Sequence, residues 1–405
     1  MPVAPRRALL GIAGLSALGA AAGCSIEPTA GPSGDTSDES AATASIVNVC
    51  DFGAVGDGQA NDTEAISAAL RHASGTPELL GTQIYFPPGR YVDRNTHVLR
   101  PDRPVALSGA GPGLSVLLRE GRGSAPWWDI RTPFCAMTGL TVNSRRCDGS
   151  SPAVSINSAY ATLDNVHFED SPDTALSIGA EASAIGNVLN ALMFRYSGRH
   201  HILVHGENSS TDGRWSNIEA GISGHSGIRV EAAGQNILNL HIWGAGTASS
   251  RSNSGIELLS SNNSLGSGWQ SEKNLGPGLV VSGSHNVITG GRSWGNAGYG
   301  ILIEGDNEGN IVSANVFRDN SLADQRRPSG RIVVAVVGGS AGIVAQNVFT
   351  QTNQVLTPTR YREQPTFPYM GRRASSQRPP VPTINVRGEL NPERLAMLNE
   401  GLLTV

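Results

Sequence analysis

Short aliphatic triplets recur through the middle of the chain at a nearly constant interval. They are Leu176-Ser177-Ile178, Ile202-Leu203-Val204, Ile228-Arg229-Val230, Ile256-Glu257-Leu258, Leu279-Val280-Val281, Ile301-Leu302-Ile303 and Ile332-Val333-Val334. Their first members are 26, 26, 28, 23, 22 and 31 residues apart. A period of this size marks a solenoid, in which each repeat buries its apolar face against the next. Three residues are too few for a helix, so the coils are built of short strands stacked about 4.8 Å apart. The 50 Gly and 23 Pro in 405 residues supply the turns and argue against long helices. The expected architecture is all-β, a parallel β-helix forming one continuous domain over residues 46–350.

Two other columns recur with the triplets. Asn236, Asn263, Asn286 and Asn310 suit a ladder at a tight turn, where stacked amides bond one another and Asn tolerates left-handed backbone. Phe168, Phe194, Trp243, Trp269, Trp294, Phe317 and Phe349 form an aromatic series, with Ala220 filling the gap. The Phe members fit an internal stack. The Trp members fit either that stack or an exposed line on which sugar rings rest, since Leu240 and Ile242 look inward and turn Trp243 away.

The start of the domain reads Val47-Asn48-Val49-Cys50-Asp51-Phe52-Gly53-Ala54-Val55-Gly56-Asp57-Gly58, then Asn61-Asp62-Thr63-Glu64-Ala65-Ile66. Asn61 or Asp62 caps a helix whose apolar face is Ile66, Ala69, Leu70 and Ala73. Tyr85-Phe86-Pro87-Pro88-Gly89-Arg90-Tyr91 and Leu107-Ser108-Gly109-Ala110-Gly111 follow. In this order the segments resemble the N-terminal signature of the pectate-lyase superfamily, which is related to family 28 glycoside hydrolases. The resemblance implies a right-handed parallel β-helix and a polysaccharide ligand. It leaves the chemistry open, because the same opening precedes hydrolases, lyases and phage tailspikes. Asp57 and Asp62 are read as turn and cap residues.

Chemistry is expected in the turns that lead into the triplets. Glu169, Asp170 and Asp173 precede Leu176, His200 precedes Ile202, and His225 precedes Ile228. Glycoside hydrolysis needs two carboxyl groups across the bond, and a His can orient or tune them. Asp173 is therefore the leading acid/base candidate, with Asp170 or Glu169 as partner and His225 and His200 in support. Trp243, Trp269, Trp294, Tyr299 and Asn296 are the substrate-binding candidates. Gly224-His225-Ser226-Gly227 resembles the Gly-His-Gly coil of the family 28 enzymes, and Asp173-Thr174 their Asp-Asp coil without its first Asp. An extra coil between them and the lack of a following Arg-Ile-Lys depart from that pattern, so only Asp173 and His225 carry over. A lyase would use a cation held by carboxylates plus a basic group, and is the second expectation. A non-catalytic glycan-binding surface protein is the alternative outside enzymes. No cofactor or metal is called for.

The termini read as address and tail. Arg6-Arg7 and the apolar run 8–23 resemble an export signal, and Ala21-Ala22-Gly23-Cys24 a bacterial lipobox. Cys24 is thus the expected lipid attachment point, with 1–23 removed and 24–45 a flexible tether holding the domain at the outer face of the cell membrane. Cys135 and Cys147 are a possible disulfide in an exported protein, leaving Cys50 over. A net charge of −4 with a single lysine, Lys273, argues against a nucleic-acid partner. Residues 351–405 are expected to be a Pro- and Arg-rich tail ending in a short capping helix.

Overall fold

The computed structural model describes residues 45–75, 81–99, 103–247, 253–305, 308–320, 331–337, 343–350, 353–356 and 362–363. The expected signal peptide, lipid-attachment cysteine, tether and tail helix lie outside them.

The aliphatic triplets all enter one parallel sheet of eleven strands, from His97–Leu99 to Asn353–Leu356. Leu176 pairs with Ile202, Ile202 with Ile228, Ile228 with Ile256, Ile256 with Leu279 and Leu279 with Ile301. From Leu176 to Ile303 the first and third residues of each triplet are buried, as at Ile228 and Val230, and the middle ones form an outward row. The last step differs from expectation: Val334, not Ile332, faces Ile301. Two earlier coils, Trp128–Ile130 and Val154–Ile156, extend the sheet toward the N-terminus. Pairing also runs past Phe349, since Asn353–Leu356 lies on Arg331–Val337 and Arg362–Glu363 on Ile343–Ala345.

The rest of each coil belongs to a second, larger parallel sheet, called here the long sheet. Its strands Thr162–Ser171, Val188–Ser197, Arg214–Ser223 and Asn236–Ala245 are each 10 residues long. Each bends at a left-handed residue, Asn165, Ala191, Asn217 or Asn239, so one strand serves two sides of the coil. The interior is largely apolar, and there Phe168 stacks on Phe194 with centroids 4.8 Å apart.

The asparagine ladder is present with one change of member. The backbone N–H groups of Gln235, Asn263 and Asn286 donate to the side-chain oxygens of Asn263, Asn286 and Asn310 in turn, each at 2.8 Å. Gln235 thus holds the place expected of Asn236, whose side chain points to solvent.

At the N-terminal end, helix Thr63–Gly75 buries Ile66, Ala69 and Ala73. Asp62 accepts from the N–H groups of Val55 and Val92 at 2.6 and 3.1 Å, which fixes the preceding turn. Cys135 and Cys147 are both buried free thiols, so the expected disulfide is not formed, and Cys50 is exposed.

Candidate functional site

A polar cluster occupies the corner where the long strands turn into the triplet sheet, and continues onto that sheet's outward row. The corner stacks Asp173, Arg199 and His225: Arg199 N–H donates to the Asp173 carbonyl at 3.3 Å and His225 N–H to the Arg199 carbonyl at 3.1 Å. The outward row runs Ser177, Leu203, Arg229, Glu257.

Asp173 is buried, and its ionic partner is a cation, with Arg199 Nε 3.6 Å from Oδ1. That oxygen makes no hydrogen bond. Arg199 itself is about half exposed, at 53% of its side chain. The expected second carboxyl is not at this corner. Glu169 lies on the long strand, accepting from Asn143 Nδ2 at 3.0 Å. Asp170 is the left-handed bend residue, with φ 52°, that turns the chain from Glu169's face toward Asp173.

The two candidate histidines do come together. The His200 and His225 rings are edge to face with centroids 5.5 Å apart. His200 Nδ1 lies 2.7 Å from the Ser226 carbonyl oxygen. A carbonyl only accepts, so Nδ1 carries the proton and Nε2 keeps its lone pair. Burial pushes His200 down to about 4, and the positive charge of neighbouring His225, Arg199 and Arg229 adds to this against the Ser226 hydrogen bond. The ring is neutral at ordinary pH. His201, one residue on, turns into the core beside Phe194, and burial takes it to about 3.

Sequence reasoning missed the groups that frame this pair. Ser226 Oγ donates to Glu257 Oε1 at 2.5 Å, and Arg229 bridges Glu257 and Glu231 at 2.7 and 2.6 Å. Burial pulls Arg229 down, but the two carboxylates outweigh it and leave its pKa raised. The signal was legible in outline: Arg229 and Glu257 are the middle residues of adjacent triplets, and middle residues face outward.

The remaining candidates divide. Trp269 is completely buried, its Nε1 donating to Asn315 Oδ1 at 3.2 Å, and is not available to a sugar. Asn296 is also buried: its Nδ2 donates to Asn320 Oδ1 at 2.8 Å, and its Oδ1 accepts from Asn274 Nδ2 at 2.8 Å. It is a ladder residue, not a substrate contact. Tyr299 is half-buried. Trp243 and Trp294 are half-buried on the outer side of the long sheet, one residue beyond the inward positions Ile242 and Ser293 that pair in register with the Phe column. The aromatic series is therefore two columns, one inside and one outside. Among the described residues no three His, Cys, Asp or Glu converge as a metal centre.

Residues 46–125 match the family described as rhamnogalacturonase A/epimerase, pectate lyase-like. The mannuronan C5-epimerase AlgE6 of Azotobacter vinelandii is 35% identical over 115 residues, which span 25% of this chain and 13% of that protein. The Dettilon tailspike protein superposes with a TM-score of 0.58 at 13% identity, covering 78% of this chain and 66% of its own. PfbA, a surface adhesin of Streptococcus pneumoniae, gives 0.52 at 15% identity, covering 80% of this chain and 91% of its own. These structural likenesses speak for the fold.

Proposed function

We propose that this chain, a pectate-lyase-like parallel β-helix, acts on an acidic polysaccharide by removing the proton at C5 of a uronic acid unit. The observation that carries this reading is His200, a neutral imidazole with Nδ1 tied to a carbonyl and Nε2 left as a base, set among Arg199, His225 and Arg229. The similarity to a mannuronan epimerase over part of the chain supports the same class of substrate.

In the proposed step Nε2 takes the C5 proton and the C–H electron pair spreads into the sugar carboxylate. Arg199, half exposed and held by Asp173, pairs with that carboxylate and stabilises the charge that develops on it. The electron pair then either expels the C4 glycosidic oxygen, which takes a proton from water and leaves a C4–C5 double bond, or takes a proton from water on the opposite face, inverting C5. Hydrolysis is less well supported. Asp173 faces a cation, while Glu257 is engaged by Ser226, Ser254 and Arg229, so neither of these carboxyls is free for the paired role that hydrolysis requires.

Incubating the full chain with polymannuronate and polygalacturonate in D₂O tests the reading by NMR. With wild type, inversion should place deuterium at C5 and elimination should give unsaturated ends, and neither should appear with His200→Gln. Ultraviolet absorbance of unsaturated ends separates elimination from inversion. New reducing ends with neither deuterium at C5 nor unsaturated ends would restore the hydrolase reading, and no change in any uronan would make the protein a glycan binder. Export and lipid attachment at Cys24 are part of the same proposal; Cys24→Ser should release the protein from the membrane fraction, and an unchanged membrane-bound pool would refute that part.

A further inference from the structure

We propose that the outer side of the long sheet carries a second binding site, for an acidic glycan, centred on Trp243 and Trp294. It lies on a different sheet from the triplet row that carries Arg229 and Glu257, around the corner from His200. On strand Asn236–Ala245, Ile242 is completely buried, while His241 and Trp243 face out. The Trp243 indole fills the space above Gly221 on the preceding coil: a Cβ there would stand 2.2 Å from the ring. The missing side chain is what lets the indole lean over the backbone of that coil.

Trp243 pairs in register with Glu272, and Glu272 with Trp294. The two indoles are thus two strands apart, roughly 10 Å at the usual strand spacing. That is about the length of two linked pyranose rings. A glycan running along the helix axis would meet an indole at every second ring, and the apolar C–H face of a sugar suits an aromatic face.

The charge around this row selects the ligand. Lys273, the chain's single lysine, places Nζ 5.0 Å from the centre of the Trp294 ring. Arg292 is exposed two residues before Trp294, and Arg318 pairs with Trp294 on the next coil. Three cations against Glu272 and Asp319 leave the Trp294 end net positive. The opposing carboxylates are already engaged, Glu272 by His241 Nε2 at 3.3 Å and Asp319 by Arg318 Nε at 2.9 Å. That excess of positive charge favours carboxylate-bearing sugars over neutral ones.

Affinity electrophoresis and calorimetry with uronan oligomers test the site, using full-length protein carrying His200→Gln so that turnover does not interfere. Trp243→Ala and Trp294→Ala should each weaken binding roughly tenfold or more, as truncation of an aromatic anchor does. Trp294→Phe should retain most of it, which separates loss of the platform from loss of the fold. Lys273→Ala should weaken binding and flatten its salt dependence. Gly221→Val should mimic Trp243→Ala by displacing the indole. Unchanged affinity in both Trp→Ala proteins, or equal affinity for a neutral glucan, overturns the proposal. Deuterium exchange and unsaturated ends measured on the wild type read the proposed chemistry by itself, so this inference and that one fail separately.

Discussion

The corner before the triplet sheet is built in two ways along the same molecule. In the coils of 26 to 28 residues its column reads Ser171, Ser197, Ser223, Ala245. In the later, shorter coils the column continues as Asn274, Asn296 and Asn320, linked amide to amide and amide to backbone. The strands differ in parallel: Asn236–Ala245 is one 10-residue strand, and its successor is split into Ser264–Leu265 and Gln270–Glu272. A tight coil uses its corner side chains to hold itself together. The extra residues of a longer coil form a turn whose side chains, Asp173, Arg199 and His225, are free of that task. The site sits where the ladder is absent.

The largest expected effect breaks the chemistry on the long-coil side. His200→Gln keeps a polar group near Ser226 and removes the base, so C5 exchange should fall by about 10²–10⁴-fold. Wild-type exchange would remove His200 from the mechanism. The same burial gives a pH signature. Above the ordinary imidazole value near 6.5, His200 is neutral both folded and unfolded. Below it the unfolded chain gains a proton that the folded coil refuses until about pH 4. Stability is therefore lost as pH falls from 6.5 to about 4, by about 3 kcal/mol at the limit. Urea midpoints at pH 7.5 and 5 should differ less in His200→Gln than in wild type, and equal differences would refute the buried neutral state. The base stays unprotonated over this range, so kcat/KM should hold from pH 7 to 5 and fall only near 4.

The repeat made most of the fold legible, because burying an apolar triplet on every coil dictates both strand and stacking. What it could not supply was the face of a residue next to a turn. Trp269 and Trp294 look alike in sequence, each beside a glycine, yet Trp269 lies two residues before inward Ser271 and Trp294 one after inward Ser293. Strand alternation therefore puts one indole inside and the other outside, and either register fits a Gly-rich stretch. Asn296 was misplaced for the same reason: asparagine serves a ladder and a binding groove equally well, and only the partner, Asn320, tells them apart. Asp173 and His225 were found by their place before the triplets, whereas Arg199 as the partner of Asp173 needed the stacking of two turns.

On the short-coil side, Asn296→Leu should cost about 2–4 kcal/mol, because it leaves the Asn274 N–H buried without a partner and takes from Asn320 Oδ1 its shortest hydrogen bond. A lowered urea midpoint with normal C5 exchange is the expected result, and an unchanged midpoint would show that the ladder carries no load. Asp173→Asn separates the two mechanisms on the long-coil side. If Asp173 only holds Arg199, the change should raise KM for uronan with kcat lowered less than about tenfold, where a general acid would lose 10²–10⁴-fold.

The smallest effect sharpens the comparison most directly, because it alters the same corner position on the other kind of coil. Ser223 stands in the column of Asn296 but donates only within its own turn, to the His225 carbonyl at 2.8 Å. Ser223→Ala removes that one hydrogen bond and should cost about 1 kcal/mol, well under the Asn296 change. Its consequence should be local instead. The bond closes the turn that carries His225, so the variant should change exchange kinetics more than its urea midpoint. A stability loss as large as that of Asn296→Leu would mean that serine corners hold the coils as asparagine corners do, and the division between a load-bearing end and a chemical end would fall.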